Sequence, residues 1–328
     1  MQKTLSSSKT KSKPTKHLNL LWVGFAFIIF AAVCLIVGAF VDKSLSQALA
    51  GKTYKPDRWN HSFGNYFSFI PGTLCSIFIA FLASAVILSQ PYQFKARGGK
   101  IAYYIIAYGL LGFCVWYQCF DGGVREIYYA LGHDHTFDIN DDRMCILYTT
   151  LMCIGFMVPS SLIIIFKCKK YRSDMFKWAI LGIMVVALAW LIMVLMKNNL
   201  SRIRYRFITD GTPINNPRQT FKPWYSLLWL QSEGAGFTFA SFPSGHTMWA
   251  TTLLLILPLL SLVFKHKTWL QIITISFIGM IMILTMFARI QAAYHYLSDT
   301  AASILLFGTT FTACYFVMYK FDWHKKHE

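Results

Sequence analysis

Two short segments of the chain combine a histidine with residue types that bind phosphate. One reads Pro-Ser-Gly-His and ends at His246, and in the other Arg289 precedes His295 and Asp299. A neutral imidazole is a nucleophile and an imidazolium can donate a proton, while guanidinium, hydroxyl and amide groups hold phosphoryl oxygens. Together the segments predict cleavage of a phosphate monoester or diphosphate through a phosphorylated histidine.

The first segment precedes a long apolar run and carries the signals of a helix start. The free amides of a first helical turn attract anions. Gly245 allows an oxyanion to approach the backbone, and Ser244 adds a hydroxyl donor. His246 would then stand beside the bound group as a proton donor. The alternative is a helix start with an incidental histidine.

The second segment pairs a histidine with a carboxylate. His295 and Asp299 are four positions apart, so on a helix they share one face. A carboxylate bonded to one ring nitrogen fixes the tautomer and leaves the other nitrogen free to attack. Asp299 also lies at the start of an apolar run, where an ionisable residue is functional by default. The alternative is an interfacial pair that stabilises a helix end.

A third, weaker signal is Lys197 followed by Arg204 seven positions later. If the helix continues, the two cations lie two turns apart on one face and can bind phosphate together. Cations that snorkel from a helix end to the interface are the alternative interpretation.

The elements that position these residues are predicted to be membrane helices. Apolar residues make up 55% of the chain and charged residues 14%, and apolar runs of about 20 residues span a bilayer core. Within the bilayer core, backbone groups must form hydrogen bonds inside the protein, which only helices and closed β-barrels achieve. The sequence lacks the alternation of apolar and polar residues that a barrel requires, so we expect helices. The predicted fold is an all-α, polytopic membrane helix bundle with about eight spans. The runs are 18–41, 67–89, 101–120, 144–166, 178–196, 247–264, 269–287 and 297–318.

The charges of the loops predict the orientation. With eight spans, both termini and three basic loops fall on one side, which the positive-inside rule makes the cytoplasm. The three motifs then lie on the extracytoplasmic side. The outer segment 197–246 carries six cations against this rule, which favours a role in binding an anion. The net charge of +17 therefore reflects topology and anionic headgroups, and we expect no nucleic-acid partner.

The order Lys-x6-Arg, Pro-Ser-Gly-His, Arg-x5-His-x3-Asp resembles the type 2 phosphatidic acid phosphatase superfamily over about residues 178–318. This resemblance implies a six-helix phosphatase core at 101–319. It leaves a two-helix N-terminal addition at 18–100, a basic disordered cytoplasmic tail at 1–17 and a second cytoplasmic tail at 320–328.

The resemblance also implies roles for the motif residues. His295 would attack phosphorus, Asp299 would orient it, and His246 would protonate the leaving oxygen and then activate water. No cofactor and no metal are expected. The groups expected to hold the phosphoryl oxygens belong to Lys197, Arg204, Ser244, Gly245 and Arg289.

Two positions depart from the pattern of the superfamily. Tyr205 follows Arg204 where proline is usual, and Ala288 precedes Arg289 where serine is usual. A lost hydroxyl donor costs about 1–3 kcal/mol if a phosphate oxygen is left unpaired. We expect weaker binding or an altered substrate, with the chemistry retained.

The expected substrate is a phosphorylated membrane lipid whose headgroup lies at the interface. Possible headgroup contacts are Arg202, Arg206 and Trp224, although an aromatic belt and solvated cations explain them equally well. The leading hypothesis is a metal-independent lipid phosphatase with no obligate protein partner. The alternatives are a lipid phosphotransferase that uses the same phosphohistidine and a non-catalytic lipid-binding homologue. A disulfide between Cys119 and Cys145, which flank the acidic outer loop, is a further open alternative.

Overall fold

The computed structural model describes most of the residues of the chain. The predicted tail at 1–17 lies outside them, as do residues 51–62 and the part of the outer segment at 227–239. The described residues are 20–50, 63–90, 96–130, 143–167, 169–200, 202–209, 221, 223–226, 240–263 and 267–324.

Within these ranges the chain is helical, and the predicted all-α polytopic fold is confirmed. Eight helices there are long and apolar enough to cross a membrane, and the only extended pairing in the described part is an isolated bridge between Arg202 and Ala240. The helices are α1 Leu20–Ala50, α2 Phe63–Ser89, α3 Arg97–Cys119, α4 Arg125–Ala130, α5 Arg143–Lys167, α6 Arg172–Asn199, α7 Tyr205–Thr209, α8 Gly245–Thr252, α9 Ile256–Val263, α10 Thr268–Gln291 and α11 Leu297–His324.

The two N-terminal helices are integral to the bundle. Helix α2 packs against α3, α5, α6, α8 and α10, and α1 packs along α11. A Cβ atom added at Gly38 would lie 3.0 Å from the backbone nitrogen of Ser298, so the glycine permits close contact between α1 and α11. Helix α1 also continues past the predicted end at residue 41, and its polar residues Asp42 and Ser46 are buried there. The predicted domain division at residue 100 stays a prediction.

The third span contains an irregular turn. Helix α3 is followed by one π-helical turn, Phe120–Val124, and then by α4. A Cβ atom at Gly72 of α2 would lie only 2.0 Å from the carbonyl oxygen of Gly122, so the backbones touch at this turn. A π turn adds a residue to the helical repeat, which re-aims the side chains that follow it.

The sixth span is also interrupted, by the 3-10 turn Leu253–Leu255 between α8 and α9. The indole of Trp178 on α6 donates a hydrogen bond of 3.0 Å to the carbonyl oxygen of Leu255. This bond satisfies a backbone group at the interruption and ties the sixth span to α6.

Both cysteines of the open disulfide alternative are buried free thiols in the structure. Cys119 packs in a cluster formed by α2, α3 and α5, whereas Cys145 packs in a separate cluster with Phe120 and Val124. The alternative of a bridge between them is therefore not realised here.

Candidate active site

The first turns of α8 and α11 are bonded to each other, and this brings the two histidine motifs together. The backbone nitrogen of Ser244 donates to the carbonyl oxygen of Asp299 at 3.1 Å. In return, the hydroxyl of Ser303 donates to the carbonyl oxygen of Ser244 at 2.7 Å. Both helix starts therefore face one site, which the C-terminal ends of α6 and α10 complete.

His295 is buried and held by a main-chain oxygen. Its Nδ1 lies 2.6 Å from the carbonyl oxygen of Ser241 and 3.7 Å from Oδ2 of Asp299. Because a carbonyl only accepts, we assign the proton to Nδ1, which leaves a lone pair on Nε2. Burial holds the pKa of His295 well below its ordinary value, and the nearby Arg289 and Arg204 act in the same direction. Burial thus favours the neutral form of the imidazole.

Asp299 organises the residues around His295. Its side chain accepts hydrogen bonds from the hydroxyl of Ser241, from Arg202, and at 2.9 Å from the backbone nitrogen of Tyr296. The hydroxyl of Ser241 thus bonds to Asp299 while its carbonyl holds His295. Asp299 acts on the histidine largely through Ser241, a residue that the sequence analysis did not identify. Its only sequence signal is its place just before the Pro-Ser-Gly-His motif.

Arg202 has a different place from the one predicted. Its guanidinium is fully buried, lies 2.8 Å from Oδ2 of Asp42, and donates to Asp299 and to the hydroxyl of Ser298. It also stacks 4.1 Å from the ring centroid of Tyr296. A buried guanidinium requires such carboxylate partners. The prediction that Arg202 contacts a headgroup is therefore corrected: it is an internal ion-pair residue.

The two other predicted headgroup residues lie near the rim. The indole of Trp224 donates to the carbonyl oxygen of Leu35 on α1 at 3.1 Å, which ties the outer segment to that helix. Arg206 is half-buried, with its guanidinium 5.0 Å from the ring centroid of Tyr294. Headgroup contacts by Arg206 and Trp224 stay predictions.

The predicted phosphate-binding cations gather at the site. The guanidinium of Arg289 lies 4.3 Å and that of Arg204 5.5 Å from the ring centroid of Tyr294, and both arginines are buried. A Cβ atom added at Gly245 would lie 3.5 Å from Nζ of Lys197, so the lysine reaches the first turn of α8. Burial, with the charge of Arg289 next, lowers the pKa of Arg204. Cations held this close are stabilised by a bound anion.

A buried donor on Arg289 also supports an anion at this site. Nε of Arg289 is buried and makes no hydrogen bond to any described residue. No group of three His, Cys, Asp or Glu side chains that could hold a metal ion occurs in the described part of the chain. Ser244 is also buried at the helix start, and its hydroxyl accepts a hydrogen bond of 3.1 Å from Thr247.

His246 faces a carboxylate that the sequence analysis assigned no role. Its Nε2 lies 2.9 Å from Oε2 of Glu126, which comes from α4 just after the π turn. The imidazole also packs edge-on against Trp249, with ring centroids 4.6 Å apart. In the sequence, Glu126 was only one acidic residue of the outer loop, and the Gly122-Gly123 pair was the only signal of the turn that aims it.

A comparison with protein families agrees with the sequence motifs. A family model described as the PAP2 superfamily matches residues 176–323, a range that holds all three motifs. No curated protein and no solved structure matches the chain. Asp42 and Glu126, which contact the motif residues, both lie outside the matched range.

Proposed function

We propose that this chain, whose residues 176–323 match the family model of the PAP2 superfamily, is an integral membrane phosphatase. Its substrate is a phosphate monoester or diphosphate of a lipid, and the reaction proceeds through a phosphohistidine. The observation that carries the proposal is the contact of Nδ1 of His295 with the carbonyl oxygen of Ser241, which leaves Nε2 free, in a buried site that also holds Arg204 and Arg289. Phosphoryl transfer needs this combination of a positioned nucleophile and spread positive charge.

The proposed reaction has two steps. In the first, Nε2 of His295 attacks phosphorus, the bond to the lipid oxygen breaks, and His246 gives a proton to the departing oxygen. In the second, His246 takes a proton from water, the water oxygen attacks phosphorus, and the bond to His295 breaks to release phosphate. Positive charge from Lys197, Arg204 and Arg289 stabilises the phosphoryl oxygens in both steps.

An apolar cavity supports a lipid as the substrate. The cavity has a volume of about 300 Å³ and lies between α2, α3 and α6, where Leu82, Leu111 and Ile183 line it. Trp190, at one end, packs 6.0 Å from Trp249, which in turn contacts His246. A hydrocarbon chain attached to the leaving oxygen would thus start beside the proton donor and continue among membrane-spanning helices.

We place the site at the extracytoplasmic face and both termini in the cytoplasm. The support is the distribution of basic loops along the chain, because these loops alternate with the segments that carry the motifs. A lipid headgroup in the outer leaflet would then meet the helix ends directly.

Phosphate release by the purified protein tests this function. In detergent with EDTA, a panel of phosphatidic acid, polyprenyl diphosphate and phosphorylated glycolipid should include a substrate, and His295→Ala should release no phosphate from it. Ala187→Phe, which partly fills the cavity, should raise KM for long-chain substrates more than for short-chain ones. Leu188→Phe, an exposed neighbour outside the cavity lining, is the matched control. Cleavage of soluble sugar phosphates alone would contradict the lipid substrate, and labelled phosphate on a second lipid would indicate a phosphotransferase.

A further inference from the structure

We infer that Glu126 is a positioning residue that orients His246 and favours its protonated form for proton delivery to the leaving oxygen. The inference rests on the proposed function and adds a residue from outside the range matched by the PAP2 family model. Its basis is a buried contact: Oε2 of Glu126 lies 2.9 Å from Nε2 of His246, and Glu126 is 5% exposed.

A carboxylate in this place needs an explanation, because a negative charge near a phosphate site repels the substrate. Burial of an unpaired carboxylate is also costly. Arg125 does not supply the main partner, since its guanidinium lies 2.5 Å from Asp121 but 4.0 Å from Glu126. His246 is the closer cationic partner when protonated, and the pair then carries no net charge toward a phosphate.

The surrounding charges explain what the carboxylate contributes. His246 stands at the start of α8, beside Lys197 and near Arg289. A proton on His246 adds a further positive charge to this cluster, which disfavours the protonated imidazole. The adjacent carboxylate of Glu126 opposes that effect. Glu126 therefore favours the protonated form of His246 within a cluster that keeps its positive charge for phosphate.

The backbone geometry positions Glu126 for its contact with His246. The π turn Phe120–Val124 immediately precedes α4, and the close packing of Gly122 against Gly72 fixes the turn on α2. The carboxylate of Glu126 is thereby delivered to His246 from a helix more than a hundred residues earlier in the chain.

The proposed step conserves protons. With Nε2 beside Glu126, the proton on Nδ1 of His246 passes to the lipid oxygen as the bond between that oxygen and phosphorus breaks. Glu126 remains a carboxylate throughout. After departure of the alcohol, neutral His246 accepts the proton of the attacking water at Nδ1, and the dyad returns to its starting state.

Leaving-group dependence distinguishes this role from a structural one. A nitrophenolate departs with little protonation, whereas an alkoxide requires it, and kcat/KM reports the steps up to phosphoenzyme formation. For Glu126→Gln we expect kcat/KM to fall about 10–100-fold on an alkyl phosphate, a part of the roughly 10²–10⁴-fold contribution of a general acid. On 4-nitrophenyl phosphate we expect a change within about threefold, well below that contribution. The ratio of the two substrates is measured on one sample, so any unfolded fraction cancels.

Asp121→Asn is the matched control, because this neighbouring carboxylate pairs with Arg125 instead of His246. Asp121→Asn should leave the ratio of kcat/KM on the alkyl phosphate to kcat/KM on 4-nitrophenyl phosphate unchanged. Glu126→Asp, which keeps a carboxylate, should restore part of the ratio that Glu126→Gln loses. If Glu126→Gln lowers kcat/KM equally on both substrates, or lowers it on neither, the inference is overturned. Hydrolysis by the wild-type protein would still support the proposed function in that case. A wild-type protein that releases no phosphate from any substrate would instead refute the function itself.

Discussion

Asp42 and Arg202 form a buried ion pair, with 2.8 Å between Oδ2 of the aspartate and Nη2 of the arginine. The same guanidinium donates to Asp299, so one side chain connects helix α1 to the carboxylate near His295. Ser298 strengthens this connection, since its backbone nitrogen donates to Oδ1 of Asp42 at 3.0 Å. The first span thereby becomes part of the site, although the PAP2 family model begins at residue 176.

Asp42→Ala should destabilise the protein and lower its activity. The substitution leaves part of a buried guanidinium unpaired, and removal of one partner from such a pair costs about 3–5 kcal/mol. Thermal unfolding in detergent measures the effect, with the exposed neighbour Lys43→Ala as the control. Equal melting temperatures for the two variants would show that α1 does not support the site.

The parts of the candidate site that could be predicted from the sequence are motifs of residues close together in the chain. The Pro-Ser-Gly-His segment and the pair His295 and Asp299 were identifiable because each lies within one helix turn or at one helix start. The contacts of Asp42 and Glu126 were not, because they join residues more than a hundred positions apart through helix packing. The eight spans followed from apolar length alone.

Asp299→Asn should lower kcat by about 100-fold and leave KM nearly unchanged. This loss is smaller than the roughly 10⁴-fold loss in a triad whose aspartate sets the histidine tautomer. The reason is that the carbonyl oxygen of Ser241 holds Nδ1 of His295 and remains in the variant. Steady-state kinetics measure the effect. Ser241→Ala, which keeps this carbonyl and loses only the hydroxyl bond to Asp299, should cost less still. A larger loss for Ser241→Ala than for Asp299→Asn would refute this arrangement.

The pH dependence should reflect the environment of His295. In the proposed reaction the neutral form of His295 attacks phosphorus. The value of kcat/KM should therefore fall at low pH, where His295 of the free enzyme becomes protonated. Because burial lowers the pKa of His295, this fall should lie below about pH 6.5, the ordinary value of histidine. The negative charge of Asp299, 3.7 Å from Nδ1 of His295, opposes that lowering, so Asp299→Asn should move the fall to still lower pH. The phosphate ionisation of the substrate is titrated separately. If kcat/KM, corrected for the ionisation of the substrate phosphate, falls at or above about pH 6.5, the assignment is contradicted.

Substitution of the two histidines should block different steps of the proposed reaction. His246→Ala retains the nucleophile, so 4-nitrophenyl phosphate should still phosphorylate the protein, while hydrolysis of the phosphoenzyme slows for lack of a base. A burst of nitrophenol followed by slow turnover, recorded in rapid mixing, is the expected signature. Loss of the burst together with turnover would show that His246 is needed before phosphorylation.

Direct trapping of the phosphoenzyme tests the central claim. Purified protein is mixed with a ³²P-labelled substrate, quenched in alkali, and digested so that the labelled peptide can be sequenced. We expect label on His295 that is stable in alkali and lost in acid, abundant in His246→Ala and missing from His295→Ala. Label on another residue, or undiminished phosphate release by His295→Ala, would contradict it.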